Sequence, residues 1–197
     1  KFDLSSYLNT SFAILFGVAC VVPCFRVIFP QNRWRSTIQL ARELGRSVAS
    51  LAAAPSASQL LPWEYRAHDR LAVMAARLPF DNVDRPRLIN GALAAIRMGR
   101  ELVHAQMLLE TSTLDGETKT LVRRALHAFR RATTRPQIAI DQARKAAEYL
   151  LLQAQSMPAE SARAALRTTA ALQECSALLA RYEGFFTAPQ ARPELAR

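Results

Sequence analysis

The sequence predicts an all-α chain: the end of a transmembrane helix followed by an antiparallel cytoplasmic helical bundle. Three observations carry that expectation. From Leu4 to Phe25 there are 22 residues without a formal charge, and as a helix they would rise roughly 33 Å, about the hydrocarbon thickness of a bilayer. The flank that follows is rich in arginine. Beyond it, apolar residues recur every three or four positions, and no segment sustains the two-residue alternation of a strand.

The span is expected over residues 1–29. Its densest part, Phe12 to Phe25, follows a more polar half containing Ser5, Ser6, Asn9, Thr10 and Ser11. A helix within a multi-span bundle can turn such a face toward protein or a water-filled path, which a lone lipid-facing helix cannot. Pro23 would kink it, and membrane helices tolerate such kinks. Arg26, Arg33, Arg35, Arg42 and Arg46 come next, opposed only by Glu43. The positive-inside rule assigns that flank to the cytoplasm, so residues after about 30 are expected there as well. Trp34, just past Pro30, suits either the headgroup level or the core.

Residues 30–186 read as a helical domain. Trp34, Ile38, Ala41, Leu44, Val48 and Leu51 form a first amphipathic stripe that breaks at Ala54-Pro55. Leu60, Trp63, Ala67, Leu71, Met74 and Leu78 form a second, ended by Pro79, with Glu64 and His68 four apart and Arg66 and Asp69 three apart on its polar side. A turn over Asp81 to Pro86 leads into a long helix to about Glu110, marked by Leu88, Ala92, Ile96, Gly99, Leu102, Gln106 and Leu109. In it, Gly91 and Gly99 would permit close helix approach. Leu121, Ala125, Phe129 and Ala132 mark the next helix, and Pro136 suits the first turn of the one after, which carries Ala139, Ala143, Ala146, Leu150 and Ala154. The last helix has the stripe Ala162, Ala165, Thr169, Leu172, Ser176 and Leu179, interrupted by its hydroxyls, and is expected to fray near Gly184. Residues 187–197, with Pro189 and Pro193, read as a disordered tail. Five or six helices are expected over residues 31–186.

Composition narrows the function less than the fold. Of the chain's 197 residues, 50% are hydrophobic, enough to build one helical core beside a membrane segment. The beginning at Lys1 reads as an internal point of a longer protein. Cys20 and Cys24 lie one helical turn apart in an apolar run, where a disulfide is geometrically poor, so reduced thiols are expected for them and for Cys175. The formal charge of +10 is compatible with nucleic acid, an anionic membrane or acidic small molecules. Only Lys1, Lys119 and Lys145 among the 26 basic residues are lysines, a bias that goes with the abundant alanine and points to base composition.

The motifs of catalysis are missing. Gly116-Glu117-Thr118-Lys119-Thr120 lacks the upstream glycine and strand of a phosphate loop. His68, His104 and His127 are far apart, and the cysteines form no CxxC pair, so neither metal nor other cofactor is expected. An enzyme is disfavoured. Two polar clusters remain. Asn90, Arg97, Glu101 and His104 fall on one stripe of the long helix, where Arg97 and Glu101 are spaced to pair. Arg123, Arg124, His127, Arg130 and Arg131, with Lys119, build a cationic face that suits anionic lipid, acidic protein or nucleic acid. A solvated surface is the plainer reading of each.

One resemblance goes further. Phe2-Asp3-Leu4, Tyr7-Leu8-Asn9, an apolar span and then Phe25-Arg26 resemble the last span of the fusaric acid resistance family of inner-membrane proteins. Trp63-Glu64, His68-Asp69-Arg70-Leu71 and Arg77-Leu78-Pro79 are similar to that family's first cytoplasmic signature, and Arg87-Leu88-Ile89-Asn90 with Arg97-Met98-Gly99-Arg100-Glu101-Leu102 to the helix after it. The likeness covers about the first 110 residues. It implies the carboxy-terminal part of a bacterial inner-membrane exporter, proton-driven, for aromatic carboxylic acids such as fusaric or hydroxybenzoic acid. A periplasmic adaptor and further copies of the chain would be its partners. Tyr7, Asn9 and Thr10 are the residues here that would line the substrate path, and the helical domain would serve assembly or gating. The competing reading is a membrane-tethered basic module for anionic lipid or nucleic acid; nucleic acid is disfavoured because the basic residues are spread over several helices without a recognition motif.

The orientation is testable directly. A reporter fused after Arg197 is expected to behave as cytoplasmic, and periplasmic alkaline phosphatase activity from that fusion would refute the assignment.

Overall fold

The computed structural model describes residues 33–53 and 56–187, together with Phe12, Phe16 and Gly17. Two compact units are present, Lys1–Ser36 and Thr37–Arg197. In the first, Phe12, Phe16 and Gly17 are helical and exposed; the rest of the expected span lies outside the described residues, as do residues 188–197. Among the described residues no helix is long and apolar enough to cross a membrane.

The described residues contain seven α-helices and no strand: α1 (Arg33–Ala53), α2 (Ala57–Arg77), α3 (Arg85–Thr111), α4 (Gly116–Ala128), α5 (Pro136–Ala154), α6 (Ala159–Arg181) and the short α7 (Glu183–Thr187), with a 3-10 turn at Phe129–Arg131. The breaks fall where backbone chemistry requires them. Asp115 caps α4, its carboxylate accepting from Thr118 N at 2.7 Å and Thr118 Oγ1 at 2.8 Å. Those bonds hold the Asp115 carboxyl below its usual pKa, so the cap's contribution is present above the unfolded value and is lost as pH falls through the folded one. Pro136 occupies the first turn of α5, where its missing N–H costs nothing.

Two expectations need correcting. The helix expected through Ala132 leaves α geometry after Ala128 and tightens into the 3-10 turn. Arg135, held before Pro136, cannot take α geometry (φ −142°, ψ 67°), so the chain must turn ahead of it. The carboxy-terminal end does not fray at Gly184 but forms α7, because Phe185 and Phe186 are both buried there, their rings edge-on with centroids 5.4 Å apart.

The core follows the predicted stripes with one addition. α3 buries Ala92, Ile96, Gly99, Leu102 and Leu109 as expected, but also Ala94, Ala95, Met98, Val103 and Ala105. Burial on more than one face makes α3 the central helix, in contact with α2, α6 and α7. α5 packs closely on α6, and α4 on α5. Small residues make these approaches possible: Ala139, Ala143, Ala146 and Ala147 on α5 and Ala165 on α6 are all fully buried or nearly so. The hydroxyls that interrupt the α6 stripe do not weaken it. Thr169 Oγ1 donates to Ala165 O at 2.9 Å and Ser176 Oγ to Gln173 O at 2.8 Å, so each side chain enters the core with its polar atom satisfied by its own helix.

The two glycines of α3 carry aromatic rings. Phe185 lies against Gly91, and the Trp63 ring lies against Gly99 so closely that a methyl group at either glycine would overlap it. Trp63 is buried, and its Nε1 donates to Ser47 Oγ on α1 at 3.2 Å. Gly99→Ala is therefore expected to destabilise the fold by about 1–3 kcal/mol through overpacking, despite a gain of about 1 kcal/mol in helix propensity. Gly116→Ala, where nothing lies within 4 Å of the new methyl, is expected to be neutral or stabilising. Thermal unfolding of the two variants checks this, and equal melting temperatures would disprove the ring contact.

Candidate functional site

The long helix organises most of the polar chemistry. Over five residues of α3, Arg97 pairs with Glu174 on α6, the Met98 carbonyl lies 3.8 Å from Cys175 Sγ, Gly99 receives Trp63, Arg100 Nε lies 2.7 Å from Glu64 Oε1 on α2, and Glu101 lies 3.9 Å from His104 Nδ1. This segment thus joins α3 to both neighbours. Arg97 and Glu101, spaced to pair with one another, take other partners, and so does Glu64, which meets Arg100 rather than His68. Asn90 is exposed about two turns from Arg97, so the stripe Asn90, Arg97, Glu101 and His104 keeps its helical alignment.

Cys175 is the feature of this region that spacing could not reveal. It is fully buried, and desolvation, reinforced by the negative charges of Glu101 and Glu174, pushes its thiol well above the ordinary value. Such a thiol stays protonated and is a poor nucleophile or metal ligand. Among the described residues no group of three or more His, Cys, Asp or Glu side chains is placed to hold a metal ion.

Arg123, Arg124, Arg130 and Arg131 are all exposed, and none makes an ion pair among the described residues. From Thr118 to Ile140 the chain has no acidic residue. Arg130 Nη1 donates to His127 Nε2 at 2.6 Å. Lys119 leaves this face: its Nζ donates to Ser112 O at 2.8 Å, satisfying a carbonyl at the end of α3. Two shallow grooves border the helices. One, of about 510 Å³, is lined by Gly116, Glu117, Thr120, Leu121, Arg124 and Tyr149; the other, of about 200 Å³, runs along Ser50, Ser58, Pro62 and Arg66 beside Trp63. Tyr7, Asn9 and Thr10, the expected path residues, lie outside the described residues.

Trp63-Glu64 meets Gly99-Arg100 as ring on glycine and carboxylate on guanidinium, and the model of the fusaric acid resistance protein family matches residues 1–186. The chain belongs to that family. Membership of the fusaric acid resistance proteins points to a transport or efflux role and to association with a membrane. No curated protein and no solved structure matches the chain.

Of the three cross-helix ion pairs among the described residues, Glu64–Arg100 has the most sheltered carboxylate, with the glutamate side chain 18% exposed. A double-mutant cycle of Glu64→Gln and Arg100→Gln, read by denaturant unfolding, is expected to give a coupling of about 0.5–1 kcal/mol that shrinks in high salt. A coupling of zero would leave the buried residues of α2, Trp63 against Gly99 among them, to join it to α3.

Proposed function

We propose that this chain is the carboxy-terminal part of a bacterial inner-membrane efflux transporter, proton-driven, that exports aromatic carboxylic acids of the fusaric or hydroxybenzoic type. Residues 1–29 are its last transmembrane helix, and residues 30–186 a cytoplasmic helical domain that serves assembly or gating. The observation that carries this reading is the extent of the family match, which takes in the uncharged stretch and the bundle together over residues 1–186.

Other features support it. Phe12 and Phe16, one helical turn apart, are exposed as a lipid-facing pair would be. Glu43 meets Arg70 and Ser47 meets Trp63, while Glu64 meets Arg100; the first two contacts run in opposite chain directions, in keeping with an antiparallel arrangement. Tyr7, Asn9 and Thr10 would supply polar groups to the substrate path. Leu151, Leu152 and Leu166, exposed on the α5–α6 pair, support contact with a second copy, and a periplasmic adaptor would complete the export route.

Cells lacking the gene are expected to accumulate fusaric or hydroxybenzoic acid and to become more sensitive to it, with a protonophore abolishing export in the complemented strain. Unchanged accumulation across a panel of aromatic acids would overturn the substrate class. Replacing Arg123, Arg124, Arg130 and Arg131 by Gln is expected to alter assembly or lipid association more than the set of acids exported. A changed set at unchanged stability and membrane level would make the domain a substrate selector.

A further inference from the structure

The turn between α2 and α3 presents two apolar side chains that the fold does not use. Leu78 is buried at its base, whereas Phe80 and Val83 are 93% and 92% exposed. They are carried on a closed turn: Asn82 N donates to Pro79 O at 3.3 Å, Arg85 N to Asn82 O at 3.0 Å and Asp84 N to Asn82 Oδ1 at 2.8 Å. Exposing both rather than polar residues costs the free energy of hydrating them in water, and the turn recovers it only against an apolar environment.

Charge and geometry around the turn identify that environment. The Arg85 guanidinium lies 3.7 Å above the Phe80 ring, and its Nη1 is buried without a hydrogen-bond partner. A cation stacked on an outward aromatic ring matches a phosphodiester group above an acyl-chain boundary. Arg77 and Arg87 stand exposed on either side and outnumber, with Arg85, the two carboxylates Asp81 and Asp84.

The turn lies at the end where the chain enters the bundle. Glu43 lies beside Arg70 and Ser47 beside Trp63, so the earlier residues of α1, from Thr37 on, lie level with the later residues of α2 that run into the turn. Residues 1–29, the proposed span, lead into that end of α1.

We infer that the Leu78–Asp84 turn is a membrane-surface foot, with Phe80 and Val83 entering the interfacial layer of the cytoplasmic leaflet and Arg77, Arg85 and Arg87 meeting anionic phospholipid headgroups. The inference rests on the reading of residues 1–29 as a membrane span. Its effect is mechanical: with the span as one attachment to the bilayer and the turn as another, the tilt of the bundle against the bilayer is restricted.

The test uses the full chain in vesicles of phosphatidylethanolamine and phosphatidylglycerol, with Cys20 and Cys24 replaced by Ser and a nitroxide placed in turn at Val83→Cys, Phe16→Cys and Gln155→Cys. Gln155 is exposed at the far end of α5 and reports the aqueous value. The ratio of oxygen to water-soluble nickel collisions is expected to be several-fold higher at positions 16 and 83 than at 155, and to fall at 83 when Arg85 and Arg87 are changed to Gln. Lipid values at 16 with an aqueous value at 83 would overturn the foot while leaving the span intact. An aqueous value at 16 would remove the span, and the foot with it.

Discussion

The contact on which the bundle depends most is the Trp63 ring against the backbone of Gly99. No other residue at position 99 leaves room for the indole, and no smaller ring at 63 would reach α3 while also donating to Ser47 on α1. One side chain therefore ties three helices together at a single level. The ion pairs on either side of Gly99 then fix register: Arg100 to Glu64 on α2 and Arg97 to Glu174 on α6. Burying an indole contributes on the order of 2–3 kcal/mol, against about 1 kcal/mol or less for each of these partly exposed pairs. The ring holds the helices together, and the charges choose among the registers that the ring allows.

The rest of the core repeats that logic with smaller parts. Phe185 covers Gly91 as Trp63 covers Gly99, which is why the chain beyond α6 forms α7. Along α5 and α6 alanine takes the place of glycine, so the helices approach closely at less cost in helix propensity. Threonine and serine join the same faces because their hydroxyls bond to carbonyls one turn back. A core of small residues has little side-chain area to bury per helix, and α3 compensates by burying more than one face.

Charge is divided between two uses. At the centre, arginine meets glutamate across helices; elsewhere, arginine stands without a carboxylate partner among the described residues, as at Arg123, Arg124, Arg130 and Arg131. The first kind holds the fold, and the second is available to something outside it. In a family associated with transport and membranes, the exposed Phe80 and Val83 beside Arg77, Arg85 and Arg87 are where the proposed foot would meet an anionic bilayer.

Helix positions were legible in the sequence because their causes are local. Three-to-four-residue apolar spacing marks a buried face, and Pro79, Pro136 and Pro158 mark boundaries whatever the helix packs against. The family was legible too, because Trp63-Glu64 and Gly99-Arg100 lie in short contiguous signatures. Partners across helices were not. Spacing along one helix names only neighbours three or four residues away, so it paired Arg97 with Glu101 and Glu64 with His68, whereas helix register brought Glu174 and Arg100 to them. The same limit hid the burial of Cys175, the diversion of Lys119 to the end of α3 and the second buried face of α3. Those features depend on which surfaces meet, and only the tertiary packing decides that.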